Sequence, residues 1–253
     1  IIFLPAAGMV SMIIPAMVQA RLLGYGLVAM ALVGTGFLSF GLWVHHMYAT
    51  GLSPMAMGYF AAASTVIAIP TGVQVVGWLA TLWSGRPLWR TPLVFALAGL
   101  VIFVLGGITG VMVASPPFDF QAHDTYFVVG HLHYVLIGGM IFPIVAGFYS
   151  FYPLIKSKKL SERLGRIAFW LMFLGFNLAF LPMHLTGLRG MPRRVYTYPA
   201  GMGFDALNLA STIGAFVLAA GLAVFVWDVV RPKGRQPIAE RNPWNAGTLE
   251  WLG

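Results

Sequence analysis

Eleven residues, His123-Asp-Thr-Tyr-Phe-Val-Val-Gly-His-Leu-His133, set three histidines and an aspartate at the head of a long apolar run. A second stretch, Trp43-Val-His-His-Met-Tyr48, puts two adjacent histidines at the end of another. Imidazole suits copper, iron and zinc, and ionisable groups inside apolar segments tend to mark function. His131 and His133 are two residues apart, so on a regular helix their side chains diverge by about 200°. One metal cannot take both, whereas two sites on opposite faces can each take one. His45 and His46 precede the turn signals Gly51, Ser53 and Pro54. At a frayed helix end both can reach a single metal; the plain alternative is a polar pair facing lipid headgroups. His123 and Asp124 can share a hard cation, or Asp124 can simply cap the next helix, where Asp is favoured. There is no cysteine, which excludes disulfides, thiolate metal sites, iron–sulfur clusters and covalently attached haem on this chain.

The elements that must position these groups are helical and apolar. Of 253 residues, 59% are hydrophobic and only 9% charged, against about 25% charged in ordinary soluble domains. The mean hydropathy is +0.83. Continuous apolar runs of this length exclude a transmembrane barrel, whose strands alternate over roughly ten residues. The fold class is an all-α polytopic membrane protein of about seven spans: Ile1–Gln19, Gly26–Val44, Met55–Trp83, Leu93–Ala114, Tyr126–Leu154, Ile167–Met183 and Leu207–Val230. These make residues 1–230 a single bundle, followed by a polar tail over 231–253 expected along the cytoplasmic membrane surface. The first residues, Ile-Ile-Phe-Leu-Pro, read as a helix entered partway along.

Alternating spans send Arg21, Arg86, Arg90, Lys156, Lys158, Lys159, Arg163 and Arg166 to one side, which is cytoplasmic by the positive-inside rule. The net charge of +8 therefore reads as loop anchoring, not nucleic-acid binding. All six histidines fall toward the other side, with Asp119, Asp124, Asp205 and the arginines Arg189, Arg193 and Arg194. Outer arginines oppose the topology trend; they suit an anionic group, since Arg clamps carboxylates bidentately. Ser64, Thr71 and Gln74 are seven and three residues apart and share one face of a regular helix, beside a backbone carbonyl freed by Pro70. This polar row is either a water path or an ordinary interhelical contact.

Taken together, WVHHMY, IAIPTGVQV, HDTYFVVGHLHYV and GMPRRVYTYP, in this order, resemble the C-terminal half of subunit I of the haem-copper oxygen reductases, in the aa3-type cytochrome c oxidase group. The resemblance covers essentially the whole chain and corresponds to the sixth through twelfth helices of that twelve-helix bundle. It implies that His45 and His46 are copper ligands. It further implies that His131 is the proximal ligand of a high-spin haem, and that His133 is one axial ligand of a low-spin haem, both haems being of A type. By the same resemblance His123 and Asp124 hold magnesium, Arg193 and Arg194 bind haem propionates with Asp119 nearby, and Ser64, Thr71 and Gln74 line a proton path. His184 matches no ligand and reads as structural.

The implied activity is reduction of oxygen to water with electrons from cytochrome c, coupled to proton translocation in a bacterial inner membrane. The implied partners are the N-terminal half of subunit I, subunit II with its dinuclear copper, and subunit III. In the family, the third copper histidine, its linked tyrosine and the second axial haem ligand lie before Ile1, so this chain alone is not a competent oxidase. Gln74 stands where close relatives carry lysine. A quinol oxidase or a nitric-oxide reductase relative is the nearer alternative; a metal-free transporter or structural bundle is the distant one. Asp124 favours the cytochrome c reading, because the resembling quinol enzymes carry Asn there.

Overall fold

The structure is a computed structural model describing residues 2–231 and 242–251. Helix α1 is Phe3–Val18, and α2 (Tyr25–Gly41) runs on into a 3-10 stretch, Trp43–Thr50. Then come α3 (Pro54–Val66), α4 (Ala68–Ser84), α5 (Thr91–Val113) and the short α6 (Pro116–Ala122). Next, α7 (Tyr126–His133) passes through a π-helical turn, Tyr134–Ile141, into α8 (Phe142–Lys156). Finally α9 (Glu162–Leu188) and α10 (Asp205–Val230) form an antiparallel pair. Among the described residues, six helical stretches are long and apolar enough to cross a membrane, and α1 is a shorter apolar helix. The chain is a multi-pass membrane protein, and each expected span falls on one of these elements.

Proline explains the irregular points. Pro70 has no N–H for the carbonyl of Val66, and the helix breaks there: α3 ends at Val66 and α4 restarts at Ala68. The Thr71 hydroxyl then donates to the Ile67 carbonyl at 2.8 Å. Pro143 likewise cannot serve Gly139, and the chain widens into the π turn just before it, with the Phe142 N–H reaching the Ile137 carbonyl. Starts are capped as their sequences suggest: Ser53, Thr125 and Ser161 each accept a backbone N–H from the first turn of α3, α7 and α9.

The core is built from α1, α5, α8 and α9 around Ile13, Met17, Phe95, Ile102, Phe142 and Phe176. Of the six long spans, the one containing His131 and His133 is the most enclosed within the chain. Small residues let backbones close up, as in other membrane helix pairs. A Cβ at Gly214 on α10 would run into the Ala179 backbone of α9, and one at Gly175 into Leu218 of α10.

The bundle has two chemically distinct ends. At one, Arg86 and Leu88 donate backbone N–H groups to Val18 and Met17 at the end of α1. Glu162 accepts from the N–H and hydroxyl of Thr91. Asp228, fully buried, accepts from Tyr149, the Ser161 N–H and Arg231. The basic loops gather here. The described part of the tail also docks here: Trp244 is buried and donates to the Ser150 carbonyl, while Gln19 donates to the Trp244 carbonyl. Lys159 lies 4.9 Å over the Trp244 ring, and Trp251 stacks on Phe151. A tail merely resting along a membrane surface is thus too loose a description of 242–251, whose tryptophans are part of the packed end. The rest of the expected tail, 232–241 and 252–253, lies outside the described residues.

Candidate functional site

The other end of the bundle collects the histidines. The backbone at His45 and His46 is not frayed as the sequence suggested but 3-10 helical. Consecutive side chains still converge there: the two rings sit edge to face with centroids 4.3 Å apart. Ser64 on α3 donates its hydroxyl to the Phe60 carbonyl at 2.6 Å, so its oxygen accepts the Nδ1–H of His45 at 2.9 Å. His45 therefore presents Nε2. Tyr48, buried under the same stretch, donates to the Ala114 carbonyl at 3.1 Å and ties it to the end of α5.

His131 faces α5. Its Nδ1–H points at the Gly106 carbonyl at 3.1 Å and the Thr109 hydroxyl oxygen at 3.0 Å, while Thr109 itself donates to Gly106. Close approach is required: a Cβ at Gly110 would lie 3.0 Å from the His131 ring, and one at Gly106 3.1 Å from the Tyr134 backbone. His133 leaves α7 on another face, donates its Nδ1–H to the Val129 carbonyl at 2.7 Å and stacks on Phe180 of α9, centroids 4.2 Å apart and planes 15° apart. Both rings thus also present Nε2. Such Nδ1 anchoring to carbonyls is the usual way a ligating imidazole is oriented and made more basic. His131 lies within electrostatic reach of His45 and of His46 at this end of the bundle. The residues present fit histidine-held metals and haem irons: His45, His131 and His133 each spend Nδ1 on an oxygen of this chain and keep Nε2 for a ligand, while the α5 glycines make room for the His131 ring and the Tyr134 backbone.

Two loops close the end. Thr125 and Pro192 form an antiparallel bridge, flanked by backbone bonds from Tyr126 to Met191 at 2.9 Å and from Arg193 to Asp124 at 2.8 Å. Asp124 has a left-handed backbone (φ 56°), as does Arg194 (φ 66°). The Arg193 guanidinium clasps the Asp124 carboxylate, Nε to Oδ1 at 2.7 Å with a second contact from its Nη2. This bond holds the Asp124 carboxyl below the usual range. Asp119 on α6 is buried; burial pushes its carboxyl up, opposed by His123, whose Nδ1 is 3.1 Å away. His46 is within electrostatic reach of Asp119, Arg193 and His123. A cation shared by His123 and Asp124 would use the His123 Nε2 and the Asp124 oxygen that Arg193 leaves open. Among the described residues there is no group of three or more His, Asp or Glu side chains arranged to hold a metal.

Ser64 on α3 and Thr71 and Gln74 on α4 are separated by a one-residue interruption at Ile67, whose backbone stays helical and whose carbonyl still accepts the Thr71 N–H. Ser64 and Gln74 nevertheless face the same neighbour: Ser64 meets His45, and the fully buried Gln74 donates its Nε2 to Thr35 of α2 at 2.9 Å. Thr35 donates in turn to Ala31, which fixes the amide orientation and leaves Gln74 Oε1 buried with no protein partner. Gly106, Thr109, Gly110 and Phe180 were not singled out from the sequence; the Gly-xxx-Gly spacing of Gly106 and Gly110 was the available signal.

A family model described as Cytochrome C and Quinol oxidase polypeptide I matches residues 1–217. The chain belongs to that family. Cytochrome c oxidase subunit 1 of Bacillus subtilis is 46% identical over 252 residues, 99% of this chain and 40% of the relative. The Synechocystis subunit is 44% identical over 99% of this chain and 45% of its own length. The probable quinol oxidase subunit 1 of Staphylococcus aureus is 42% identical over 254 residues, 99% of this chain and 38% of its own. The chain therefore spans about two fifths of the curated relatives it matches. A cryo-EM structure of a haem-copper terminal oxidase dimer superposes with a TM-score of 0.79 over 92% of this chain and 47% of the other, at 22% identity. That likeness establishes the fold.

Proposed function

We propose that this subunit I segment supplies half of the redox centre of a terminal oxidase that reduces oxygen to water in a bacterial inner membrane. The observation that carries the reading is shared by His45, His131 and His133: each donates Nδ1–H to a fixed oxygen and leaves Nε2 for a metal. In this reading His45 and His46 would hold copper, His131 the iron of the haem where oxygen reacts, and His133 the iron of a second, electron-transfer haem, with the rest of subunit I supplying the remaining ligands. When bound, these groups supply electron transfer and oxygen activation.

The chain's own residues orient and insulate. Ser64 sets the plane of the His45 ring. The Gly106 carbonyl and Thr109 fix the tautomer of His131 and raise its basicity. Phe180 covers one face of His133. The Arg193–Asp124 and Asp119–His123 pairs brace the outer end, where His123 and Asp124 would hold magnesium and Arg193 and Arg194 would meet the propionates. Of the proposed proton path, Ser64 touches His45 directly, while Thr71 and Gln74 bond Ile67 and Thr35 and would join it only through water; Gln74 cannot carry a proton as lysine does.

Cytochrome c, through the dinuclear copper of subunit II, is the donor we favour, on the presence of Asp124. Cytochrome c and quinol oxidase relatives are similar over the same 99% of the chain, so overall likeness does not separate the two donors. Proton translocation and subunit III complete the proposal. It is tested with His131→Leu and His133→Leu in the parent complex. The first is expected to abolish the carbon monoxide-reactive haem signal and the second the low-spin signal. Loss of the same signal in both would overturn the assignment of two haems to two faces.

A further inference from the structure

His184 has no role in the site described above, yet it sits where α7 is gripped. It is buried on α9 and donates its Nδ1–H to the Phe180 carbonyl at 3.1 Å, one turn back. Its ring fills a notch on α7. The rings of Phe127 and Tyr134 meet it edge-on with centroids 5.1 Å and 5.2 Å away. The floor of the notch is Gly130, where a Cβ would lie 2.8 Å from the His184 Nδ1.

The position of that notch on the helix is telling. At about 100° per residue, Gly130 points about 100° from His131 and about 60° from His133. Phe127 and Tyr134 fall about 40° and 60° from His131, on the same side. All three therefore form a stripe along the shorter arc between the faces of His131 and His133. A ring wedged into that stripe resists rotation of α7 in either direction. The same α9 carries Phe180, four residues earlier, flat against His133. The α9 helix thus holds α7 twice: Phe180 on one ligand ring, and His184 on the ridge between both.

We propose that His184 is a positioning residue, a buried ring that fixes the rotation of α7 so that His131 and His133 meet separate haems. The contacts that seat its ring on α7, with Phe127, Tyr134 and Gly130, are ring contacts that a phenyl group of similar shape can also make. The inference rests on the haem assignments made above.

The test uses the assembled parent complex with His184→Ala and His184→Phe, read by the low-spin haem absorption band and electron paramagnetic resonance g values at matched haem content. Removing the ring is expected to shift the low-spin signals, and phenylalanine, which refills the notch, to return them toward wild type. Unshifted signals in His184→Ala, or equal shifts in both variants, would overturn the proposal. Should His184→Ala not assemble, Gly130→Ala presses on the same ring from α7 and is expected to shift the low-spin signals; unchanged signals there overturn it too. A wild-type complex without two haem signals would instead defeat the underlying haem assignment.

Discussion

Thr109→Val isolates one of the two acceptors that orient His131. The native Nδ1–H is shared between the Gly106 carbonyl at 3.1 Å and the Thr109 oxygen at 3.0 Å. Valine matches the shape of threonine, keeps the Gly106 carbonyl and removes one acceptor. A hydrogen bond of this kind contributes about 0.5–1.5 kcal/mol net. At about 1.4 kcal/mol and about 59 mV per factor of ten for one electron, this sets an upper bound of about 20–65 mV on the move of the haem potential, reached only if the whole bond strength differed between ferric and ferrous iron. Because the Nδ1–H keeps its second acceptor, the lower end, about 20–30 mV, is expected. The sign is upward: a less basic imidazole stabilises ferric iron less. The assay is a redox titration following each haem separately, with the iron–histidine stretch in resonance Raman falling in parallel. The His133 haem should not move, since its Nδ1 is anchored to Val129. A shift in both haems, or in neither, would refute the proposal that α5 tunes His131.

Other substitutions probe the remaining contacts. Gly110→Val should place methyls against the His131 ring, a misfit worth about 1–3 kcal/mol, and lower carbon monoxide binding while the low-spin spectrum persists. Ser64→Ala removes the acceptor of the His45 Nδ1 and is expected to weaken copper retention about 10–100-fold, measured by metal content after dialysis against a chelator. Gln74→Leu should leave assembly intact but slow reduction of the high-spin haem in stopped flow; unchanged rates would mean that the Gln74–Thr35 contact is only an interhelical bond. Trp244→Ala removes the buried ring that docks the tail and should cost about 3–5 kcal/mol, seen as a lower thermal midpoint of the complex.

The sequence made the span positions legible because each is a long apolar run broken by Pro, Gly or charge, and it sorted the ends because lysines and arginines cluster in alternate loops. The divergence of His131 and His133 followed from helix geometry alone. What could not be read is what depends on contacts between distant segments. Spacing suggested one helix carrying Ser64, Thr71 and Gln74; the span is there, with Pro70 removing a hydrogen bond and interrupting it at Ile67. The backbone at His45 and His46 differs from the expected frayed end: a 3-10 turn sets the two rings side by side. The pairing of residues 123–126 with 191–194, the carbonyl anchors of His131 and the wedge of His184 all join segments tens of residues apart. Gly106 and Gly110 left a trace, the small-residue spacing, whereas Phe180 looks like any other apolar residue of a membrane helix.

The central claim is that His131 serves an open haem and His133 a closed one. It is tested most directly by the visible spectrum of the dithionite-reduced parent complex, recorded with and without carbon monoxide. Two haem signals are predicted, of which carbon monoxide shifts one, the one abolished in His131→Leu. No haem absorbance, or a carbon monoxide shift that survives in His131→Leu, would contradict the account.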